Sequence, residues 1–194
     1  MEITTERLLI REFKENDWPD VLVYQSEPLY LRYYEWTDRT PLVVQEFVQR
    51  FIANQQEQPR IKYQLAITLR PSQQLIGNCG IRLKTANALE GDIGYELSPK
   101  YWGHGYATEA AGAMLEFGFT QLNLHRIWSW CIADNVGSAR VLQKLGMQAE
   151  GRLRENEYYK GRWWDTLLFG LLDHEWKAKQ PKTGPGETEP SARL

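Results

Sequence analysis

Apolar and polar positions along the chain fall into two spacings, and each change of spacing marks a new element. Arg7–Phe13 alternates and predicts a first strand. From Asn16 to Ser26, behind a good N-cap, Trp18, Val21, Leu22 and Gln25 keep helical spacing. An aromatic connector, residues 28–36, follows. Thr40 and Pro41 then supply an N-cap and a first helical residue, and Val43, Val44, Phe47, Phe51 and Ile52 continue that helix on one face. Tyr63, Leu65, Ile67 and Leu69 return to alternation; 70–74 is a turn, Leu75–Lys84 the second strand of a hairpin, and Asp92–Ser98 a third strand ending at Pro99. A glycine-rich turn opens a long helix near Gly105, whose buried face is Ala107, Ala111, Met114, Gly118 and Leu122. Arg126–Ala133 is a strand, Asn135 caps a helix that ends at Gly146, and strands near 147–158 and 163–172 flank the Lys160-Gly161 turn. The order β-α-α-β-β-β-α-β-α-β-β predicts a mixed sheet with helices on both faces, a three-layer α/β domain over residues 1–177. The polar, Pro- and Gly-rich stretch 178–194 reads as a disordered tail.

Composition narrows the function without choosing it. The 194 residues are 42% hydrophobic and 25% charged, with a net charge of −2, so the one-sided basic footprint of a nucleic-acid binder is missing. No apolar run approaches the roughly eighteen residues of a membrane span, and the first residues lack a secretory pattern. The expectation is a cytoplasmic protein, monomer or homodimer, that engages neither membrane nor nucleic acid. Cys79 and Cys131 sit in strand-like apolar runs, where a thiol packs as a small hydrophobe. His104, His125 and His174 are scattered, so no metal-ligand spacing can be assembled and no metal is expected.

The chemistry concentrates at residues 97–109, Leu-Ser-Pro-Lys-Tyr-Trp-Gly-His-Gly-Tyr-Ala-Thr-Glu. A strand stops, two glycines turn the backbone, and a helix begins with unpaired amides and partial positive charge, which suits a phosphate or pyrophosphate. The loop lacks the Gly-Lys-Ser/Thr of a P-loop, and it lies mid-chain rather than in a first βα unit, so neither standard nucleotide fingerprint applies. Taken alone, it is also compatible with a plain glycine-softened turn.

Two further motifs decide between these. Trp-Gly-x-Gly-Tyr-Ala-Thr-Glu-Ala is followed by Asn135-x-x-Ser138 and by Lys144-Leu145-Gly146. Together they resemble the GNAT superfamily of N-acetyltransferases, and more narrowly its branch acting on ribosomal-protein N-termini, over about residues 5–176. The resemblance implies the three-layer GNAT fold, a mostly antiparallel mixed sheet, and acetyl-CoA as co-substrate with an amine acceptor. It implies that Trp102, Gly103, His104, Gly105, Tyr106, Ala107 and Thr108 surround the pyrophosphate. The strand end Glu96-Leu97-Ser98 would pair with the pantetheine arm, with Asn135 and Ser138 facing its far end. Two positions depart from the superfamily pattern. Trp102 replaces the usual Gln or Arg, as is familiar in this branch. Leu142 stands where many members carry the Tyr that protonates the leaving thiolate. The branch points instead to Ser138 as acid and Glu157 as base, although Ser138 is equally readable as a hydroxyl that only touches CoA.

The chemistry asks for such groups. An amine attacks only when neutral, and α-amines have a pKa of roughly 7.7–8 against ~10.4 for a lysine amine, so a carboxylate near the acceptor is expected. Glu157 is the first candidate, with Glu96 and Asp92 in reserve. Tyr33, Tyr34, Trp36, Tyr158 and Trp163 are the expected walls of an acceptor pocket between the connector and the last hairpin. Glu35, Glu155 and Glu157 would draw a cation there, and Asp165 would brace the hairpin. A protein N-terminus is the leading acceptor. A polyamine, an amino acid or an aminoglycoside fits the same chemistry, and a non-catalytic CoA-binding module is the reading from another class.

Overall fold

The computed structural model describes residues 1–179. Its strands are β1 (Glu2–Thr4), β2 (Leu8–Glu12), β3 (Lys62–Leu69), β4 (Leu75–Leu83), β5 (Glu90–Leu97), β6 (Arg126–Ile132), β7 (Gln148–Tyr159) and β8 (Arg162–Leu172). Its helices are α1 (Trp18–Gln25), α2 (Pro28–Leu31), α3 (Pro41–Gln55), α4 (Tyr106–Thr120), α5 (Val136–Lys144) and α6 (Asp173–Lys179). The strands form one sheet in the order β1-β2-β3-β4-β5-β6-β8-β7. Every pairing is antiparallel except β5 with β6.

Alternation along the strands makes two cores, one on each face. Leu8, Ile10, Leu65, Ile67, Ile81 and Ile93 pack under α4 and α5, meeting Ala110, Ala111, Met114, Leu115 and Leu142. On the other face Ala66 and Leu75 meet Val21, Tyr24, Val44 and Val48 of α1 and α3. Each fully buried Leu or Ile contributes on the order of 1.5–3 kcal/mol, so both faces need a helical cover. α4 can lie close because Gly118 has no side chain: a Cβ there would stand 2.6 Å from Ile127 Cδ1 and 2.7 Å from Ile81 Cδ1.

The expected strands and long helices are present, and four local expectations are corrected. β1 was not anticipated, since three residues with a single apolar side chain carry no pattern. The aromatic connector opens with α2, started by Pro28. Before α1 the chain makes a 3-10 turn, Glu15–Asp17, in which the Asp17 carboxylate accepts the Lys14 amide at 2.7 Å. Residues 178 and 179, placed in a disordered tail, instead close α6, whose Trp176 stacks on Phe119. The rest of that tail expectation, 180–194, lies outside the described residues.

The feature that positions a site is where β5 and β6 part. They pair in parallel only at Glu90–Asp92 with Arg126–Trp128, and β5 then runs on to Leu97 without its neighbour. Parallel strands diverging in mid-sheet leave a wedge lined by one free strand edge.

Candidate active site

At the open end of the wedge, where β5 stops, is the glycine loop. A 3-10 turn, Pro99–Tyr101, ends β5, and Gly103 and Gly105 then adopt φ of +80° and +82°. That left-handed region is open to glycine and costly for a β-branched residue. The first helical hydrogen bond of α4 runs from the Glu109 amide to the Gly105 carbonyl, so the amides of Tyr106, Ala107 and Thr108 have no helical partner. Nothing lies within 4 Å of a Cβ built on Gly103, and at Gly105 the nearest atom is Arg7 Nη2 at 3.4 Å. Free amides, a helix N-terminus and open space above two glycines fit a pyrophosphate. Trp102 is half-exposed, its indole N–H donating to the Leu97 carbonyl at 2.9 Å, and the His104 ring stacks on Tyr106.

A clamp that sequence reasoning missed holds this loop from behind. The Glu109 carboxylate accepts the Thr5 hydroxyl at 2.6 Å, the Arg7 amide at 2.9 Å and Arg7 Nε at 2.6 Å. The Arg7 guanidinium also donates to the His104 carbonyl at 2.9 Å and lies over the Tyr106 ring. Burial alone would raise the Glu109 carboxyl, but the hydrogen bonds and charge of Thr5 and Arg7 outweigh it and hold the group below the usual carboxylate range. An acid in the first turn weakens the pull of a helix N-terminus on an anion; Arg7 offsets that charge while fixing the loop.

The edge of β5 divides the residues expected there. The Ser98 amide donates to the Ile76 carbonyl of β4, and the register pairs Asn78 with Glu96. By antiparallel alternation the Glu96 and Ser98 backbones therefore face β4, and those of Tyr95 and Leu97 face the wedge. The side chains alternate too. Tyr95 and Leu97 turn toward α4 and α5, whereas Glu96 turns to the α1 face. There its carboxylate accepts from Tyr24 at 2.7 Å, Gln25 at 2.9 Å, Tyr30 at 2.6 Å, Tyr34 at 3.3 Å and Asn78 at 2.5 Å. All five donors are neutral, so Glu96 is a fixed carboxylate with its lone pairs filled. Asp92, the other reserve base, is paired with Arg82, whose Nε donates at 2.8 Å.

Across the wedge, the Asn135 side chain caps α5 by accepting the Ser138 amide at 3.1 Å. The Ser138 hydroxyl lies 3.0 Å from the Tyr95 hydroxyl. Glu157 stands opposite Trp164 on the last hairpin, exposed, with one contact of 3.4 Å from its neighbour Asn156. Asp165 accepts Arg152 Nε at 2.6 Å and the Glu155 amide at 2.8 Å, so it braces the hairpin at the bulge where Glu155 has φ +49°.

Connector and hairpin, expected as the two sides of an acceptor pocket, are tied together. Lys160 Nζ donates to the Leu31 carbonyl at 2.6 Å, the Tyr159 hydroxyl to the Tyr33 carbonyl at 3.0 Å, and the Tyr33 hydroxyl to the Asp134 carbonyl at 2.9 Å. Tyr34 stacks between Tyr30 and Trp36 beside Glu96. Tyr158 and Trp163 pack on each other and are exposed, while Trp164 and Tyr159 contribute the rings that meet the connector. Burial, first of all, pushes the Tyr159 phenol up to about 12, and the charges of Glu157, Asp134 and Glu35 push the same way against Arg162. The rings here lie among charges of both signs, Glu35, Asp134 and Glu157 beside Lys160 and Arg162. Among the described residues no cluster of three or more His, Cys, Asp or Glu could hold a metal ion, and no helix is long and apolar enough to cross a membrane.

Known proteins share this fold. Residues 7–148 match the model of an acetyltransferase (GNAT) domain. An uncharacterized N-acetyltransferase of Bacillus subtilis, YnaD, is 36% identical over 91% of this chain and 99% of its own length. The crystal structure of a GNAT-family acetyltransferase from Bacillus anthracis superposes with a TM-score of 0.79 at 31% identity, covering 90% of this chain and all of that one. At lower identity the same fold occurs in two enzymes with different acceptors. One is a ribosomal-protein-S5-alanine acetyltransferase from Vibrio fischeri, with a TM-score of 0.76 at 21% identity over 91% of this chain and 98% of that one. The other is a spermidine N-acetyltransferase from Vibrio cholerae in complex with CoA and spermine, with a TM-score of 0.75 at 18% identity over 89% of this chain and 99% of that one.

Proposed function

Because this chain belongs to the acetyltransferase (GNAT) family, whose members are N-acetyltransferases, we propose that it moves the acetyl group of acetyl-CoA directly to a primary amine, with the α-amine of a protein N-terminus as acceptor. The observation that carries this reading is the free edge of β5 beyond Ile93, whose carbonyl accepts the Ser129 hydroxyl at 2.8 Å. It has the amide cradle at its end, Ser138 across the wedge and a cluster of aromatic rings and carboxylates on its other face. Residues 103–108 hold the pyrophosphate, with Arg7 and Glu109 fixing the loop. The Leu97 amide faces the pantetheine arm and can polarise the acetyl carbonyl. Acetyl-CoA supplies an activated acyl group on a leaving thiol of pKa about 8.5, so no enzyme-bound intermediate is needed.

Carboxylate chemistry favours an α-amine. Glu96 has its lone pairs filled and Asp92 is paired, which leaves Glu157, exposed on the hairpin, as the free carboxylate. At pH 7.5 an α-amine of pKa roughly 7.7–8 is already about one-third neutral, whereas an alkyl amine near ~10.4 is neutral in about one molecule per thousand. The first therefore asks far less of the site's base than the second. Glu96 is held by neutral donors and makes no direct ion pair, with Arg39 one residue removed through Gln25.

The test is a mixed amine panel incubated with acetyl-CoA and read by mass. It contains peptides with free Ser or Ala N-termini, lysine peptides with blocked termini, polyamines and aminoglycosides. Acetylation of free N-termini in preference to every other amine is expected. Preferential acetylation of a polyamine or aminoglycoside would overturn the acceptor while keeping the reaction, and CoA binding without turnover on any amine would favour a non-catalytic module.

A further inference from the structure

On β5 a tyrosine that no motif singles out reaches the start of α5. Ile93, Tyr95 and Leu97 share the face under α4 and α5, and the Tyr95 phenol extends from the free part of β5 to the first turn of α5. Its oxygen lies 3.0 Å from the Ser138 carbonyl and 3.0 Å from the Ser138 hydroxyl. Burial, first of all, raises the phenol above its ordinary value, and the Ser138 contact opposes this, so the group stays an O–H donor at neutral pH. The Cys131 thiol of β6 completes the cluster: burial pushes it up to about 11, against a Ser138 hydrogen bond that lowers it. One turn along α5, Leu142 is buried in the core, so no phenol can come from that position.

We infer that Tyr95 is a positioning residue for the leaving group: its phenol directs the Ser138 hydroxyl proton toward the CoA sulfur. This rests on the proposed acetyl transfer and on Ser138 facing the thioester. The phenol has one proton and two acceptors at equal distance. When it donates to the Ser138 carbonyl, the Ser138 hydroxyl donates back to the phenol and points away from the wedge. When it donates to the Ser138 hydroxyl, the serine proton is free to point into the wedge. The first arrangement holds one more hydrogen bond inside the cluster, and charge developing on sulfur selects the second by accepting the serine proton that it frees. In the reaction the amine nitrogen forms the C–N bond, the C–S bond breaks, and sulfur keeps the electron pair as thiolate. The amine proton leaves through Glu157 or water. Ser138 and Tyr95 lend hydrogen bonds and give up no proton, so both are ready for the next turnover.

The experiment is a double-mutant cycle on the full chain, with acetyl-CoA and the best acceptor from the panel. Tyr95→Phe should lower kcat about tenfold while the KM for acetyl-CoA and the calorimetric Kd for CoA stay within about twofold. Introduced into Ser138→Ala, the same change should cost nothing further, which a merely structural tyrosine would not show. Wild-type kcat in Tyr95→Phe, or an undiminished effect in the Ser138→Ala background, would overturn the inference. Full kcat in Ser138→Ala alone would instead remove the underlying reading of Ser138. Should Tyr95→Phe lose CoA affinity through misfolding, 3-fluorotyrosine at position 95 decides the matter, since it keeps the ring and makes the phenol a stronger donor. A raised kcat at unchanged CoA affinity is then expected, and an unchanged kcat contradicts the role.

Discussion

Gly105→Val weakens CoA binding about 100-fold or more by calorimetry and leaves the melting midpoint within a few degrees of wild type. Gly105 sits at φ +82° immediately before α4. A valine in the left-handed region costs roughly 1–2 kcal/mol, so in the free protein the loop relaxes into another conformation. Binding must then restore the cradle against that cost and accommodate two methyl groups. The Cβ itself would stand 3.4 Å from Arg7 Nη2, so the branch points either into Arg7 or into the space open to the anion. Arg7 cannot move freely, being bonded to Glu109 and to the His104 carbonyl. Together these effects reach about 2.7 kcal/mol, which is a hundredfold in Kd. Fold stability is spared because the residue lies in an exposed loop, outside both cores. Wild-type CoA affinity in this variant would remove the loop from the cofactor site.

Glu157→Gln is expected to lower kcat about 100-fold at neutral pH, with CoA affinity unchanged, because positioned general bases contribute 10²–10⁴-fold. The pH dependence makes the prediction sharper. An α-amine acceptor needs its proton removed only while it is charged, so the deficit should shrink as pH rises through roughly 8 and nearly vanish by about 9.5. A lysine-like acceptor would keep the full deficit across the same range. Rates equal to wild type at pH 7 would show that Glu157 is not the base. Glu96 would then not simply take its place, since five neutral donors already occupy its oxygens on the α1 face.

Local pattern made much of this site legible. Two glycines between an alternating run and a helical one mark the turn at 103–105, and the Asn135-x-x-Ser138 start of α5 is a cap readable from residue type alone. What depends on distant partners was hidden. Arg7 and Glu109 are 102 residues apart, and nothing in either segment announces the other. The bond between Tyr95 and Ser138 spans 43 residues, and it exists because β5 and β6 part at Asp92, a feature of sheet geometry with no local signature. The opposite facing of Glu96 and Leu97 is legible in the sequence, since period two alone separates neighbouring side chains. Short elements escaped for a different reason. β1 and α2, of three and four residues, are too brief for any period to emerge, and tertiary pairing rather than propensity holds them.

Amide hydrogen exchange by NMR, with and without CoA, tests the central claim most directly, because it reports which backbone groups the cofactor covers. Slowed exchange is expected at Gly103 through Thr108 and at Leu97, whose amides face open space or the wedge. Ser98 should change little, its amide already being bonded to Ile76. Protection elsewhere, for instance along the exposed bulge of β7, with residues 103–108 exchanging as fast as in the free protein, would contradict the account.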